Sequence, residues 1–369
     1  MHWHIILTEK CNLQCKYCYG KSMTEFDNGL GEKWDYDSDS PCDSEVSIDK
    51  IKKFLSKDDD PTLIFYGGEP LIKIERMMRI MDEVSARFCL QTNGILLHNL
   101  PEKYLMKLSK ILVSIDGGRK VTDFNRGEGR YDDVVSNVKK VREMGFDGEI
   151  VARMTISKEF PDIINQVEHI FNLEIFDSVH FQLDAGFYKS DFNEDEFRKF
   201  VNDYNYSLGK LVEWWVDEMK EGRVIKIYPF LGVYDSLVNG CDGKLPCGSG
   251  HSNFTITTSG KLSACPIMNS VKDFYCGDLE SELGGIKEVE CGGKCDECSY
   301  KKVCGGRCLY SNHAELWPEK GQDLICDTIK HLIDLVREKI DDIRGLIEIG
   351  LIKKEDFEFE KYFGPEIIP

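Results

Sequence analysis

No apolar run in this 369-residue chain reaches the roughly 18 residues that a membrane-spanning helix needs. The N-terminal residues from Met1 to Ile5 include neither the basic segment nor the apolar segment of a secretory signal peptide. Positive charge is scarce, because 47 Lys and Arg stand against 65 Asp and Glu and leave a formal net charge of −18. These absences predict a cytoplasmic protein that binds no membrane and no nucleic acid, whose phosphates must be neutralised by Lys and Arg. The acidity also serves solubility alone in many proteins.

Cysteine, in contrast, is abundant, and 11 of the 15 cysteines fall into two spaced sets. In a reducing cytoplasm such spacing indicates metal ligands rather than disulfides. The first set follows the apolar run Ile5–Leu7 and comprises Cys11, Cys15 and Cys18. Three thiolates on one loop can hold a cubic iron–sulfur cluster and leave one iron open to a substrate. A zinc knuckle without its fourth ligand, or unrelated thiols, are the alternatives for this triplet.

Apolar and amphipathic segments alternate through the first 220 residues and predict strands separated by helices. The predicted strands are Trp3–Leu7, Leu63–Tyr66, Phe88–Gln91, Ile111–Ile115, Ile150–Ile156 and Val179–Leu183. The predicted helices are Ile48–Leu55, Ile74–Arg87, Glu102–Leu108, Asp133–Met144, Phe160–Phe171 and Glu194–Lys220. Six such units predict an α/β fold, a partial (β/α)6 TIM-type barrel, with its chemistry at the C-terminal ends of the strands.

Three segments interrupt or follow this alternation. Gly20–Glu45 is rich in Asp, Ser and Gly and predicts a long insertion, either a lid over the barrel mouth or a mobile surface loop. Phe254–Leu262 predicts a hairpin with a Ser-Gly turn. Thr328–Ile347 predicts a helix near the C-terminus.

Small and polar residues recur at the predicted strand ends. Gly67, Gly68 and Glu69 end the second strand, Asn93 ends the third and Ser114 the fourth. Glycines let the backbone approach a ligand closely, and a carboxylate can accept hydrogen bonds from an ammonium group. Together with the cysteine triplet, these residues predict one binding site at the barrel mouth.

On these motifs the first half of the chain resembles the radical S-adenosylmethionine (SAM) superfamily. The resemblance implies that Cys11, Cys15 and Cys18 bind a [4Fe–4S] cluster whose open iron SAM chelates. It further implies roles in SAM binding, with Tyr17 near the adenine, Gly67, Gly68 and Glu69 at the methionyl amine, Asn93 and Ser114 at the methionyl or ribose part, and Arg153 at the carboxylate. For Arg153 a structural ion pair is the alternative.

The second cysteine set resembles the SPASM extension of peptide-modifying radical SAM enzymes at every spacing. The resemblance implies two auxiliary [4Fe–4S] clusters, and so three in all. Cys241, Cys247, Cys265 and Cys308 would hold the inner one, and Cys295, Cys298, Cys304 and Cys326 the outer one. Tetrahedral zinc is the alternative. Cys291 could be an alternate ligand or a plain turn residue, and Cys89 is predicted to be a small buried hydrophobe.

These resemblances predict three regions, a radical SAM barrel over residues 1–221, a SPASM domain over 222–330 and a helix with a tail over 331–369. They imply an oxidoreductase that cleaves SAM to a 5′-deoxyadenosyl radical and oxidatively modifies a ribosomal peptide or protein side chain, most like archaeal peptide-modifying members. A small-molecule substrate and a non-catalytic electron-transfer module are the alternatives.

Further expectations concern the substrate and partners. Asp184 and Tyr188 are predicted to line the substrate cavity, with Asp184 as a base or merely a capping residue. Pro266 stands where sulfatase-maturing members carry an acid, which argues against formylglycine formation. The start at strand one leaves no room for a leader-binding domain. A low-potential donor, such as ferredoxin or flavodoxin, is expected to supply electrons.

Overall fold

A computed structural model describes residues 1–19, 30–184, 192–362 and 364 of the chain. Its described strands form one mixed sheet, in the order β6-β5-β4-β3-β2-β1-β7-β8-β9. The strands are β1 His2–Ile6, β2 Thr62–Tyr66, β3 Arg87–Thr92, β4 Leu108–Ser114, β5 Glu149–Ile156, β6 Ser178–Leu183, β7 Asn253–Ile256, β8 Lys261–Ser263 and β9 Tyr275–Asp278. Strands β1 to β6 pair in parallel and in chain order, so the predicted partial barrel is confirmed.

Helices cover the outer face of this sheet and extend beyond it. They are α1 Leu30–Lys33, α2 Ile48–Leu55, α3 Ile74–Glu83, α4 Glu102–Leu105, α5 Arg119–Arg126, α6 Arg130–Glu143, α7 Ile163–Phe171, α8 Glu194–Lys220, α9 Tyr228–Asn239, α10 Lys301–Cys304, α11 Leu309–Ala314 and α12 Glu319–Glu348. No helix in the described part of the chain is both long enough and apolar enough to span a bilayer.

Both faces of the parallel strands are buried, which explains why their sequences are almost continuously apolar. Trp3 and Phe65 point to the helical layer and are fully buried there. Ile64, Cys89 and Leu112 point the other way and form a small cluster inside the barrel. Cys89 is therefore a buried core residue, as predicted.

The cysteine-rich region is joined to the barrel through its sheet. Strand β7 pairs in parallel with β1, and β8 and β9 continue antiparallel from it. The predicted hairpin at Phe254–Leu262 corresponds to β7 and β8. This arrangement places the second cysteine set on the side of the barrel that is next to the first strand.

Residues 30–45, the described part of the predicted insertion, are packed against the rest of the molecule. The Trp34 ring makes edge contacts with Phe274 and Tyr310, at centroid distances of 5.2 and 6.0 Å. Isolated bridges pair Thr8 with Asp43 and Tyr36 with Val271. Leu30 and Trp34 are buried, whereas most of residues 30–45 are exposed or half-buried, so the choice between a lid and a mobile surface loop stays a prediction.

The C-terminal segment closes the opposite, N-terminal end of the barrel. Lys110, 5% exposed, forms ion pairs with Glu149 at 2.8 Å and with Glu360 at 2.9 Å. His2 and Arg87 also contact Glu360. A charged residue of the tail thus meets a lysine inside the barrel.

Candidate functional site

A cavity opens where the parallel strands end and the first cysteine loop begins. The residues predicted for the site from the barrel half line it together, namely Cys11, Cys15, Tyr17, Cys18, Gly67, Gly68, Asn93, Ser114, Arg153 and Asp184. Glu69 is the exception, since its side chain is fully buried and does not line the cavity. Tyr188 lies outside the described residues. The fold therefore brings these side chains to one place, and their roles toward SAM stay predictions.

The two glycines after β2 support the start of the cysteine loop. A Cβ on Gly67 would lie 2.2 Å from the Thr8 carbonyl oxygen, and one on Gly68 would lie 2.4 Å from the Glu9 and Lys10 carbonyl oxygens. The Gly68 N–H also donates to the Thr8 carbonyl at 2.9 Å. Any side chain at these positions would push the loop away, so the glycines serve close backbone packing.

A buried ion pair fixes the cysteine loop from the other side. Arg126 donates to both carboxylate oxygens of Asp116, at 2.9 Å from Nε and 2.8 Å from Nη2. The Tyr17 hydroxyl donates to the same carboxylate at 2.6 Å. Burial holds the pKa of Tyr17 well above its ordinary value, so the phenol keeps its proton and can donate.

The sequence analysis did not identify the ion pair between Asp116 and Arg126. Asp116 lies two residues after Ser114, at the end of the fourth predicted strand, but Arg126 lies ten residues later, in α5. That helix was itself not predicted, because its sequence Arg119–Arg126 is mostly polar and has only two large apolar residues, Val121 and Phe124. Only the tertiary structure shows that Arg126, the last residue of α5, lies beside Asp116 at the end of β4.

Glu69 connects the ends of two strands rather than facing the cavity. One of its carboxylate oxygens accepts from the Leu71 N–H at 3.0 Å and the Thr92 hydroxyl at 2.8 Å. The other accepts from the Asn93 N–H at 2.8 Å. Burial raises the pKa of Glu69 to about 7, and these hydrogen bonds only partly oppose that rise. A carboxylate has about four acceptor positions, so one is left for a further donor.

Asn93, directly after β3, and Arg153, on β5, present polar groups to the cavity. The Asn93 amide donates to the Asn12 side-chain oxygen at 2.7 Å and lies 3.7 Å from the Cys11 sulfur. The Arg153 guanidinium donates to the amide oxygens of Gln91 and Gln182, both at 3.1 Å. These two amides orient the guanidinium, a group that can pair with a carboxylate in a bidentate way.

A second cavity adjoins the first and shares Tyr17 and Asp184 with it. Its apolar walls come from α8, α12 and the segment before α12, through Phe197, Phe200, Trp317 and Ile325. Asp184 therefore stands at the junction between the cysteine loop and an apolar pocket.

The thiols of the first set lie near one another. The thiols of the predicted outer set also lie near one another. The pKa of Cys11 is raised to about 11, chiefly by burial and further by Glu69, Cys15 and Cys18. Burial and then Cys295 and Cys326 raise the pKa of Cys304 to about 12. The pKa of Cys326 is raised by burial and also by Cys298. The Asn312 amide lies 3.4 Å from the Cys295 sulfur.

Three thiols of the predicted inner set lie near one another. The pKa of Cys265 is raised by burial first and then by Cys308 and Cys247. The Cys241 sulfur contacts the Lys302 carbonyl. Cys291 is buried, and burial is the main cause of its raised pKa. The nearby thiols Cys308, Cys295 and Cys247 raise that pKa further.

In the described part of the chain, no three Cys, His, Asp or Glu side chains converge on a point that could hold a single metal ion. Tetrahedral zinc would require such convergence, with sulfurs about 2.3 Å from one ion. The ligands of a four-iron cube each bind a different iron and are held further apart. The choice between iron–sulfur cubes and zinc at these cysteines stays a prediction from their spacing.

Comparison with known proteins agrees with this geometry. The sequence over residues 5–173 matches the Radical SAM superfamily. An uncharacterized protein of Archaeoglobus fulgidus is 25% identical over 95% of this chain and 85% of its own length. A cysteine-type anaerobic sulfatase-maturating enzyme of Clostridium perfringens is 23% identical, over 92% of this chain and 96% of its own. An AdoMet-dependent heme synthase of Methanosarcina barkeri is 24% identical, over 81% and 88%.

Solved structures share the fold. Native anSMEcpe with bound AdoMet and Cp18Cys peptide superposes with a TM-score of 0.67 at 17% identity, over 94% of this chain and 99% of that one. Streptococcus suis SuiB bound to its precursor peptide SuiA gives 0.53 at 16% identity, over 84% and 72%. With the family match and the cysteine loop at the barrel mouth, these likenesses lead to one conclusion. Residues 5–173 of the chain form a radical SAM domain.

Proposed function

We propose that this protein carries three [4Fe–4S] clusters and oxidatively modifies a side chain of a ribosomal peptide or protein. The observation that carries the proposal is the single cavity in which Cys11, Cys15 and Cys18 meet the strand-end residues Gly68 and Arg153. When bound there, a cluster and SAM supply a 5′-deoxyadenosyl radical that removes a hydrogen atom from carbon. A thioether, a carbon–carbon link or a desaturation would be the product class.

The chain's own residues have positioning roles in this proposal. Tyr17, held by Asp116, fixes the loop between Cys15 and Cys18. Arg153 binds the methionyl carboxylate of SAM as a bidentate donor. Asp184 accepts a proton from the substrate at the junction of the two cavities. Ordering these groups in a water-poor site is what the protein adds to cofactor chemistry.

A peptide is favoured as substrate by the shape of the site. The apolar pocket next to the cysteine loop extends the cavity away from the cluster site, toward α8 and α12. Such an extension suits a side chain carried on a longer molecule, whereas a small substrate needs a closed pocket. The solved relatives with bound peptides support the same class. Pro266 after Cys265 departs from the sulfatase-maturing pattern, so a product other than formylglycine is proposed.

A small-molecule substrate is the second candidate, and the similarity to a heme synthase favours it. The two candidates differ in what the enzyme should consume. A peptide encoded near the gene should lose about two mass units per event when two hydrogens are removed in an oxidation, while a small-molecule enzyme would leave every such peptide unchanged.

The test is anaerobic reconstitution with iron, sulfide, SAM and a low-potential donor such as ferredoxin or flavodoxin. We expect about twelve irons per chain, at four per cube, and formation of 5′-deoxyadenosine. Cys15→Ala should abolish 5′-deoxyadenosine and remove about four irons. Cys42→Ala, at an exposed cysteine outside both sets, should change neither quantity. Undiminished 5′-deoxyadenosine from Cys15→Ala would refute the proposal.

A further inference from the structure

The last part of the chain that the structure describes follows the inside of the barrel. We call residues 359–362 and 364 the inner tail. The Phe359 ring packs against the small apolar cluster inside the barrel and contacts the Tyr228 ring edge-on, at a centroid distance of 5.9 Å. The next residue, Glu360, forms an ion pair with Lys110 at 2.9 Å. The tail is therefore anchored both to the inner apolar cluster and to a buried charge.

The inner tail follows β5 toward the candidate site. Lys110 pairs with Glu360 and also, at 2.8 Å, with Glu149, the first residue of β5. Four residues further along each segment, a Cβ on Gly364 would lie 3.6 Å from Nη1 of Arg153, which lines the cavity of the cysteine loop. Four residues of a strand extend about 13 Å. The tail thus connects the N-terminal end of the barrel to the candidate SAM site.

A third contact joins the inner tail to the loop that follows Cys247. A Cβ on Gly248 would lie 2.8 Å from the Tyr362 Cβ, and the Tyr362 ring meets the His251 ring edge-on at a centroid distance of 5.5 Å. Tyr362 has a φ of +69°, in the left-handed region that a bulky side chain rarely adopts. Such a conformation persists where the surrounding contacts impose it. The tail is thus held by the cysteine-rich region as well as by the barrel.

These contacts give the Arg153 side chain defined neighbours on the inside of the barrel. Its guanidinium donates to the amide oxygens of Gln91 and Gln182, both at 3.1 Å, and Gly364 lies beside the same group. An arginine side chain loses rotamer freedom when it is fixed on a ligand, and neighbours that already restrict it reduce that loss. Because glycine has no side chain, the tail backbone can approach the guanidinium without displacing it.

We propose that the inner tail positions Arg153 for SAM binding. Glu360 anchors the tail, and Gly364 makes its contact with the arginine. The inference rests on the proposed role of Arg153 at the methionyl carboxylate of SAM. Because the tail and SAM share this arginine, docking of the tail strengthens SAM binding, and SAM strengthens docking of the tail by the same factor.

Cys89 reports whether the tail is docked, without any need for activity. It is fully buried in the apolar cluster against which Phe359 packs. Glu360→Gln removes the charge that pairs with Lys110, so N-ethylmaleimide should label Cys89 about 10-fold faster in this variant. Mass spectrometry of samples labelled under anaerobic conditions measures the rate. Cys276, which is 5% exposed on β9, is the internal control for global unfolding and should be labelled no faster.

Calorimetric titration of the reconstituted protein with SAM tests the coupling itself. Glu360→Gln and Gly364→Val should each raise the dissociation constant about 10-fold, because the first frees the tail and the second directs a branched side chain at the guanidinium. Gly350→Val is the matched control. Gly350 also has a positive φ, +76° against +109° for Gly364, but a Cβ there has no atom within 4 Å. This control should leave SAM affinity unchanged.

The wild-type protein provides a test that does not depend on how a variant folds. Saturating SAM should slow the labelling of Cys89 about 10-fold, the same factor by which tail docking strengthens SAM binding. Faster labelling in the presence of SAM would mean that the tail and SAM compete, and would overturn the inference. An unchanged labelling rate would overturn it as well.

The variant Arg153→Gln separates this inference from the proposed function. If that variant binds SAM as tightly as the wild type does, the proposed role of Arg153 is itself wrong. If it binds SAM weakly while the Glu360 and Gly364 variants bind SAM normally, the tail does not position Arg153 and the proposed function stands.

Discussion

The Tyr17 hydroxyl donates a 2.6 Å hydrogen bond to the buried carboxylate of Asp116. This contact joins the cysteine loop to the end of β4, ninety-nine positions later in the chain. Arg126 forms an ion pair with the same carboxylate, so Tyr17 is hydrogen-bonded to a buried Asp116–Arg126 pair. The position of Cys15 and Cys18 thus depends on this buried ion pair.

Removing the charge of Asp116 should destabilise the protein strongly. Asp116→Asn leaves the buried Arg126 without its counterion, and breaking a buried pair in this way costs about 3–5 kcal/mol. Tyr17→Phe removes one hydrogen bond and should cost only about 1 kcal/mol. Urea denaturation under anaerobic conditions measures both. Asp132→Asn, in an exposed pair with Arg119, is the control and should change stability little. Equal effects of the Asp116 and Asp132 variants would contradict the argument.

A single methyl group at position 68 should disturb cluster assembly. The Cβ of Gly68→Ala would lie 2.4 Å from two carbonyl oxygens of the cysteine loop, so the loop must move. We expect a loss of about 1–3 kcal/mol in unfolding free energy and a lowered iron content after reconstitution. Gly284→Ala is the matched control, because a Cβ there has no atom within 4 Å. Normal iron content and stability in the Gly68 variant would show that the glycine is not needed for packing.

The stability of the SAM-free protein should depend on pH through Glu69. Its pKa of about 7 lies above its ordinary value of 4.5, so the folded state holds the proton more tightly than the unfolded state does. The stabilisation is complete below pH 4.5 and is lost as the pH rises through 7, by at most about 3 kcal/mol. Glu69→Gln cannot titrate, so the stability difference between wild type and variant should change between pH 5 and pH 8. Parallel pH curves for the two proteins would exclude this role of burial.

Arg153 should contribute to SAM affinity through its charge. A hydrogen bond to a charged group contributes about 1.5–3 kcal/mol, so Arg153→Gln should weaken SAM binding by about 10- to 100-fold. Isothermal titration calorimetry of the reconstituted protein gives the dissociation constant. Arg79→Gln changes an exposed arginine on α3 and controls for net charge. Unaltered SAM affinity in the Arg153 variant would favour the alternative, a purely structural arginine.

Much of the barrel could be predicted, because its local patterns agree with its tertiary environment. Helices α2 and α8 have the predicted bounds, since each has caps and a regular apolar face. Helix α12 begins at Glu319, nine residues before the predicted start at Thr328. Cys326 therefore lies inside this helix. It was assigned to the cysteine motif, and the helix was predicted to begin only after it. Helix α9 was not predicted, because its Pro229 and Gly232 mask an otherwise apolar helix.

The sequence by itself determined the chemistry available to this protein, because ligand type and spacing along the chain are local properties. The triplet at Cys11, Cys15 and Cys18 and the alternation of strands and helices required no coordinates. Only the tertiary structure decided which distant residues meet. It brings Arg126 to Asp116 and joins the Glu69 carboxylate to the Thr92 hydroxyl and the Asn93 N–H. Such contacts depend on how elements far apart in the chain pack together, and no local pattern records that packing.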